Sequence, residues 1–316
     1  MATIPVVDFK PIFQLGETEV DGDIWKNIGH QIVEALHSFG FVYLDNHGID
    51  LNQIKNAFSA SRTFFEQGAE EKLRYKYEDK SPKGYHGQGY RDRSCGSIFE
   101  VRESFDWTGR MKKHGNDQLN FFEELQNLQE KCKPLAKAIF KLIGIGLKLD
   151  DDNYFLQRSQ WLCNPDVPSF KTFRSLYYPA IPEDVEIPQG EFRVKEHSDF
   201  DFLTFLFQDS IGGLEIKTSN GKWIPATPIP NAVIINIGDL LEAWTGGYFP
   251  ATKHRVLIPE SEIKKRIARQ SIAYFLHPDS NTIVEPLQSP VIGAYSFQRF
   301  KAFEHTKSKL ATVNSY

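Results

Sequence analysis

Val194-Lys-Glu-His197-Ser-Asp199-Phe-Asp201-Phe-Leu203-Thr-Phe-Leu-Phe207-Gln-Asp209 is the stretch whose reading decides the fold. Its second half, from Leu203, is apolar almost throughout, the pattern of a strand buried on both faces. Its first half carries a His-x-Asp pair. On a strand, residues two apart point to the same face, so His197 and Asp199 are expected to reach one ion together. A second imidazole follows in Thr252-Lys-His254-Arg-Val256, after the turn-rich Gly246, Gly247 and Pro250. Two neutral imidazoles and one carboxylate form a ligand set that leaves one side of a divalent metal open.

Outward from this stretch the β texture continues. Short β-rich runs bounded by Gly, Pro and Asn recur at 175–178, 192–194, 203–208, 214–216, 222–224, 233–237, 255–258, 272–275 and 282–284. So many short strands predict a double-sheet jelly roll over 151–295. Residues 1–150 read as mostly helical. Ile28, Ile32, Val33 and Leu36 recur at helical spacing, and Gly40 stops the run. Phe41 to Leu44 predicts one short strand, and Ile54, Phe58, Phe64 and Phe65 mark a second helix. Leu125, Leu128, Cys132, Leu135, Ile139 and Leu142 describe a long helix that Pro134 is expected to kink or divide. The Gly- and Tyr-rich segment 81–97 reads as a loop, and 296–309 as a helix within the terminal region 296–316. The expected class is mainly β with α: a distorted double-stranded β-helix (jelly roll) core with N-terminal helices packed on it. No repeat or low-complexity linker interrupts 1–316, so one unit is expected.

Composition narrows the function classes. A chain that is 41% hydrophobic with 25 Phe can bury a sizeable core. A net charge of −4 gives no electrostatic case for nucleic acid. Cys95, Cys132 and Cys163 are far apart and form no CxxC pair, which suits a reducing cytosol better than a disulfide scaffold. The N-terminal residues lack the basic-then-apolar pattern of a signal peptide. No run approaches the ~18 apolar residues of a membrane helix. A cytoplasmic monomer without a membrane partner is therefore expected.

The blocks around the candidate ligands occur in a recognisable order. Ile4-Pro-Val-Val-Asp-Phe9, Gly40-Phe-Val-Tyr-Leu-Asp-Asn-His47-Gly-Ile49, Phe64 to Lys72 and Glu103-Ser-Phe105-Asp-Trp107 come first. His197 to Asp209, Gly212-Gly-Leu-Glu-Ile216, Trp223-Ile-Pro225, Asn236-Ile-Gly-Asp239, His254-Arg-Val256 and Arg269-Gln-Ser271-Ile-Ala273 follow. In this order the chain resembles the isopenicillin N synthase-like branch of the iron(II)- and 2-oxoglutarate-dependent dioxygenases. The resemblance implies that His197, Asp199 and His254 carry iron(II) and the catalysis, with 2-oxoglutarate and O2 as co-substrates. It implies that Arg269 and Ser271 bind the distal carboxylate of 2-oxoglutarate, with Tyr178 of Tyr177-Tyr178-Pro179 donating to it. The guanidinium fork suits that task. The implied reaction oxidises an unactivated C–H bond of a small organic substrate, as in secondary metabolism. Hydroxylation, desaturation and ring closure are all open outcomes, with release of succinate and CO2.

Two positions depart from the family pattern. Leu176 stands where plant relatives often have Asn, and Asp201 stands where Gly is common. Asp201 reads either as a turn-shaping residue or as an extra carboxylate near the metal. In the family, the region of Tyr85 to Arg93 borders the substrate pocket. Arg91 or Arg93 would meet a substrate carboxylate there, with Tyr90 or Phe99 as an apolar wall, which implies a small acid such as an amino-acid derivative. Three rivals stand beside this reading. A zinc hydrolase would use the same ligand types, but it leaves Arg269-Gln-Ser271 unexplained and the chain has no HExxH helix. A same-fold iron oxidase would work without 2-oxoglutarate, as isopenicillin N synthase does despite its Arg-x-Ser. A catalytically silent sensor or binding protein is disfavoured by the intact ligand set.

Overall fold

The computed structural model describes residues 3–14, 22–76, 84–87, 102–108, 120–181, 183, 192–258 and 266–314. The N-terminal part holds β1 (Val6–Asp8), α1 (Lys10–Gln14), α2 (Gly22–Phe39), β2 (Phe41–Asp45), α3 (Leu51–Phe65) and α4 (Ala69–Leu73). After these come β3 (Gly84–His86), β4 (Glu103–Trp107), α5 (Phe121–Gly146) and α6 (Tyr154–Gln157). The C-terminal part continues with β5 (Thr172–Tyr178), β6 (Phe192–His197), β7 (Leu203–Gln208), β8 (Leu214–Lys217) and β9 (Trp223–Pro225). It then has β10 (Val233–Ile237), α7 (Asp239–Trp244), β11 (His254–Leu257) and β12 (Arg269–Leu276). It closes with β13 (Ile283–Val284), β14 (Phe300–Lys301) and α8 (Ala302–Asn314).

Two sheets face each other. The major one has eight strands in the order β1-β2-β10-β7-β12-β5-β4-β3, and the minor one has four in the order β6-β11-β8-β9. Alternation along each major strand sorts its side chains between two cores. Phe173, Phe205, Phe207, Ile235, Ile272 and Tyr274 point outward and pack with the helix stripes of Ile32, Leu36, Leu128, Leu135 and Ile139. Leu176, Leu206, Ile234 and Ala273 point inward, toward Val194, Ile216 and Val256 of the minor sheet. Both faces of the major sheet are thus covered, which explains the near-continuous apolar run in β7. This is the expected distorted jelly roll with helices on one outer face.

Several local expectations change. The loop-like composition of 81–97 conceals β3. β3 and β4 extend the major sheet, β4 pairing with β5 (Phe105 opposite Ser175) and β3 with β4 (Tyr85 opposite Phe105). The buried Glu103 of β4 is paired across the sequence: Lys72 Nζ donates to its Oε2 at 2.6 Å, as does the Tyr85 hydroxyl. Pro134 does not divide the long helix. α5 runs through it, held on both sides by the buried stripe of Leu128, Cys132, Leu135 and Ile139. The closing helix begins at Ala302, because 300–301 pair with β13 instead.

One junction sets up the site. Gly40 ends α2 at φ +66°, and a Cβ there would lie 2.4 Å from the Pro250 carbonyl oxygen. Only glycine permits that approach. The Thr252 hydroxyl donates to the Phe39 carbonyl at 2.8 Å, fixing the chain just before His254.

Candidate active site

β6 ends at His197 and β11 begins at His254, and the two histidines oppose each other in register. Asp199 lies beyond the end of β6, so strand alternation does not aim it, contrary to the expectation above. A turn does. The Asp199 carbonyl accepts from the Asp239 N–H at 2.8 Å, at the start of α7. The Asp199 carboxylate is then oriented from the major sheet. Its Oδ2 accepts from Thr204 Oγ1 at 2.6 Å and from Asn236 Nδ2 at 2.8 Å. Both donors are 2% exposed.

The remaining ligand atoms converge. His197 Nδ1 lies 2.8 Å from the Lys195 carbonyl and His254 Nδ1 3.2 Å from the Thr252 carbonyl. A carbonyl only accepts, so each Nδ1 carries a proton, and in the neutral imidazole Nε2 is then the lone-pair nitrogen. The two Nε2 atoms lie 3.9 and 3.7 Å from Asp199 Oδ1, too far for hydrogen bonds. One atom from each of the three residues lies within 4.8 Å of the others. Two imidazole nitrogens and one carboxylate oxygen thus face one point, which is the arrangement a cation completes. Burial and the neighbouring His254 lower the pKa of His197 to about 4, so its imidazole is neutral at neutral pH. Burial alone would raise Asp199, but the two imidazoles, Thr204 and Asn236 hold its carboxyl below the ordinary value. Two nitrogens, one oxygen and no thiolate suit iron(II), so the residues present fit that metal.

Asp201 proves to be a turn residue rather than a further ligand. It is 2% exposed, and burial followed by Asp199 raises its pKa well above the ordinary range. Thr204 Oγ1 is 3.0 Å from Asp201 Oδ2 as well as bound to Asp199. One hydroxyl has one proton, so both contacts form when Asp201 is itself protonated. Gly238 makes room for it, since a Cβ there would lie 2.1 Å from the Asp201 carbonyl oxygen.

A second set of groups lines the inner face of the major sheet. Arg269 opposes Tyr178, and Ser271 opposes Leu176 and Gln208. Arg269 is 1% exposed. Its Nε donates to the Gly212 carbonyl at 2.8 Å and its Nη1 to Ser271 Oγ at 3.2 Å. Its guanidinium lies 4.8 Å from the centre of the Tyr178 ring. The structure therefore brings Tyr178, Arg269 and Ser271 together, with the apolar Leu176 beside them. Tyr90, Arg91, Arg93 and Phe99 lie outside the described residues. Sequence reasoning missed Thr204 and Asn236 as supports of Asp199. It also missed Arg174, which faces inward opposite Ala273 and binds Asp106 through Nε and, at 2.8 Å, Nη2. His86 Nε2 stands 3.3 Å from the same carboxylate. The available signal was alternation: Arg174, Leu176 and Tyr178 share one face of one strand. Trp244 is fully buried, packing edge-on against Phe155 and Phe202.

Comparison with known proteins finds chains of similar sequence and fold. The model of the 2OG-Fe(II) oxygenase superfamily matches residues 169–278, and that of the non-haem dioxygenase in morphine synthesis N-terminal matches 4–129. A 2-oxoglutarate-Fe(II) type oxidoreductase, ppzD, of Metarhizium rileyi is 27% identical over 305 residues, covering 89% of this chain and 84% of that protein. A UPF0676 protein of Schizosaccharomyces pombe is 32% identical over 268 residues, covering 81% and 79%. A full-length Neurospora crassa protein, solved in complex with alpha-KG, aligns with a TM-score of 0.84 at 28% identity, covering 98% of this chain and 96% of that one.

Proposed function

The chain belongs to the 2OG-Fe(II) oxygenase superfamily, and from that membership we propose the role of each residue at its site. It is an iron(II)- and 2-oxoglutarate-dependent dioxygenase that acts on a small molecule. His197, Asp199 and His254 would hold the iron. Bound there, iron(II) supplies the redox chemistry by which O2 and 2-oxoglutarate oxidise a C–H bond, giving succinate and CO2. The observation that carries this reading is the convergence of two imidazoles and one carboxylate on one point.

The chain's own residues do the rest. Thr204 and Asn236 occupy one oxygen of Asp199, so the other faces the metal. Arg269 pairs with the distal carboxylate of 2-oxoglutarate. Ser271 Oγ accepts from Arg269, which leaves its own proton for that carboxylate. Tyr178 covers the guanidinium and contributes its phenol. Leu176, Leu206 and Ala273 form an apolar wall that keeps water from the co-substrate's methylene groups. For the substrate we keep a small organic acid, held by Arg91 or Arg93 with Tyr90 and Phe99 as apolar neighbours. Its support is the cationic and aromatic composition of that segment. A related Neurospora crassa structure holds thymine beside alpha-KG, so a compact heterocycle is the alternative substrate class. A cytoplasmic monomer serving secondary metabolism remains part of this proposal. No helix among the described residues is long and apolar enough to cross a membrane.

The test has two arms. Anaerobic iron titration should show affinity strongly reduced in His197→Ala, Asp199→Ala and His254→Ala; wild-type affinity in all three rejects the metal assignment. Arg269→Gln removes a charge-assisted pair worth about 1.5–3 kcal/mol, so 2-oxoglutarate affinity should fall roughly ten- to hundredfold. Unchanged affinity rejects the co-substrate assignment.

A further inference from the structure

Arg193, the second residue of β6, is 1% exposed, and among the described residues none of its three guanidinium nitrogens has a hydrogen-bond partner. Burying a charge without partners is strongly unfavourable, so folded proteins rarely leave one in that state. Its surroundings make the case sharper. Burial and the nearby Arg269 together push its pKa down to about 10. Among the described residues Tyr178 and then Asp209 act in the other direction, and the Asp209 carboxylate already accepts from the Ile211 and Gln270 N–H groups. Arg193 and Arg269 also share one aromatic surface. Their guanidinium carbons lie 5.7 and 4.8 Å from the centre of the Tyr178 ring. Two like charges thus stand beside one phenol, in a region walled by Leu176, Ala273, Val194 and Leu206.

What the described residues of this pocket lack is an anion with enough acceptor sites for two forks. A carboxylate has two oxygens and about four lone-pair sites, while phenol and serine hydroxyls offer no charge. We propose that Arg193 is a second guanidinium of the co-substrate pocket, so that the distal carboxylate of 2-oxoglutarate is clasped between Arg193 and Arg269. The proposal rests on the assignment of that carboxylate to Arg269. It adds a specificity rule. A 2-oxoacid without a distal carboxylate leaves two buried cations unmatched instead of one, so the pocket rejects it more firmly. Arg193 also lies on the strand that ends at His197, so one short segment carries both a co-substrate contact and a metal ligand.

The test is calorimetric titration of the iron(II)-loaded protein, without oxygen, using 2-oxoglutarate and 2-oxohexanoate. The second ligand keeps the oxoacid end and lacks the distal carboxylate. Arg193→Met should weaken 2-oxoglutarate binding about tenfold or more, as expected for loss of a charge-assisted pair. Binding of 2-oxohexanoate should stay the same or tighten. The ligand-free Arg193→Met protein should melt above wild type, because an unmatched buried charge is gone, yet gain less on adding 2-oxoglutarate. Arg193→Lys keeps the charge without the fork and should fall between the two; it also serves if the Met variant does not fold. An equal loss for both oxoacids overturns the proposal, since it would mean general damage. Unchanged 2-oxoglutarate affinity in Arg193→Met, with the loss confined to Arg269→Gln, overturns this proposal alone. Unchanged affinity in both variants overturns it together with the assignment of Arg269.

Discussion

Asn236 and Thr204 decide which oxygen of Asp199 is available. Each donates to Oδ2, so Oδ1 alone points toward the two imidazoles. A carboxylate held this way meets a metal through one atom and keeps a position open for co-substrate. Partners that orient ligands commonly matter about 10–100-fold in metal affinity. Asn236→Ala and Thr204→Val should each weaken iron(II) binding by roughly that factor, although neither touches the metal. Anaerobic titration reads the effect directly. Wild-type affinity in both variants would mean that the turn through Asp239 suffices to aim Asp199. Neither support was visible in the sequence, because Thr204 and Asn236 sit in apolar strands and look like ordinary strand residues. The ligands themselves were legible from residue type and order. The mechanical account of Asp199 was not, because the turn depends on a hydrogen bond to Asp239, forty positions away in the chain.

At the scale of elements, the close crossing of α2 and α5 shapes the helical layer. A Cβ on Gly146 would lie 2.4 Å from the Gly29 carbonyl oxygen and 2.5 Å from Val33 Cγ2. Two effects compete in Gly146→Ala. Alanine gains up to about 1 kcal/mol of helix propensity over glycine. Overpacking against backbone that cannot swing away costs about 1–3 kcal/mol. Overpacking should win, lowering stability by roughly 1–2 kcal/mol in urea unfolding. Gly22, at the exposed start of α2, has nothing within 4 Å of its added Cβ, so Gly22→Ala is the matched control and should be neutral or mildly stabilising. A Gly146→Ala protein as stable as the control would show that the helices separate freely. Elements of this kind were unevenly readable. The strands from β5 to β12 carry β-rich residues between turn residues, and the structure places each close to where the pattern suggested. β3 escaped notice inside a loop-like segment, and β4 because Glu103 and Asp106 interrupt its apolar pattern. Their partners, Lys72 and Arg174, come from distant parts of the chain. Pairing of that kind leaves no local periodicity to find.

Across the whole molecule, His277 joins three regions and should make stability depend on pH. It follows β12, and its carbonyl accepts from Trp161 Nε1 at 2.7 Å and from the Ser169 hydroxyl at 3.2 Å. Its ring meets α8, with Nδ1 3.5 Å from Thr306 Oγ1 and His305 close enough to act on its charge. Burial, then His305, lowers the pKa of His277 to about 3, from an ordinary 6.5. Between those values the unfolded chain binds a proton that the folded chain refuses. Stability is therefore fully present above about 6.5 and falls as pH drops through this window, by at most about 1.4 kcal/mol per pH unit. Asp279, two residues on, has a carboxyl raised by burial, so its contribution has the opposite sign. His47 is lowered by burial and adds a slope of the same sign as His277. A substitution is needed to separate them. Urea midpoints of wild type and His277→Phe at pH 7.5 and pH 5.0 provide it, because phenylalanine cannot take up the proton in either state. The variant should lose less stability than wild type between the two pH values. α8 is also tied to the site, through Lys309 Nζ to Asp239 Oδ2 at 2.8 Å, and the N–H of Asp239 donates to the Asp199 carbonyl. Acid loosening of α8 should thus weaken iron binding in wild type more than in His277→Phe. Equal pH slopes in the two proteins would assign the acid sensitivity to other groups and leave His277 a packing residue.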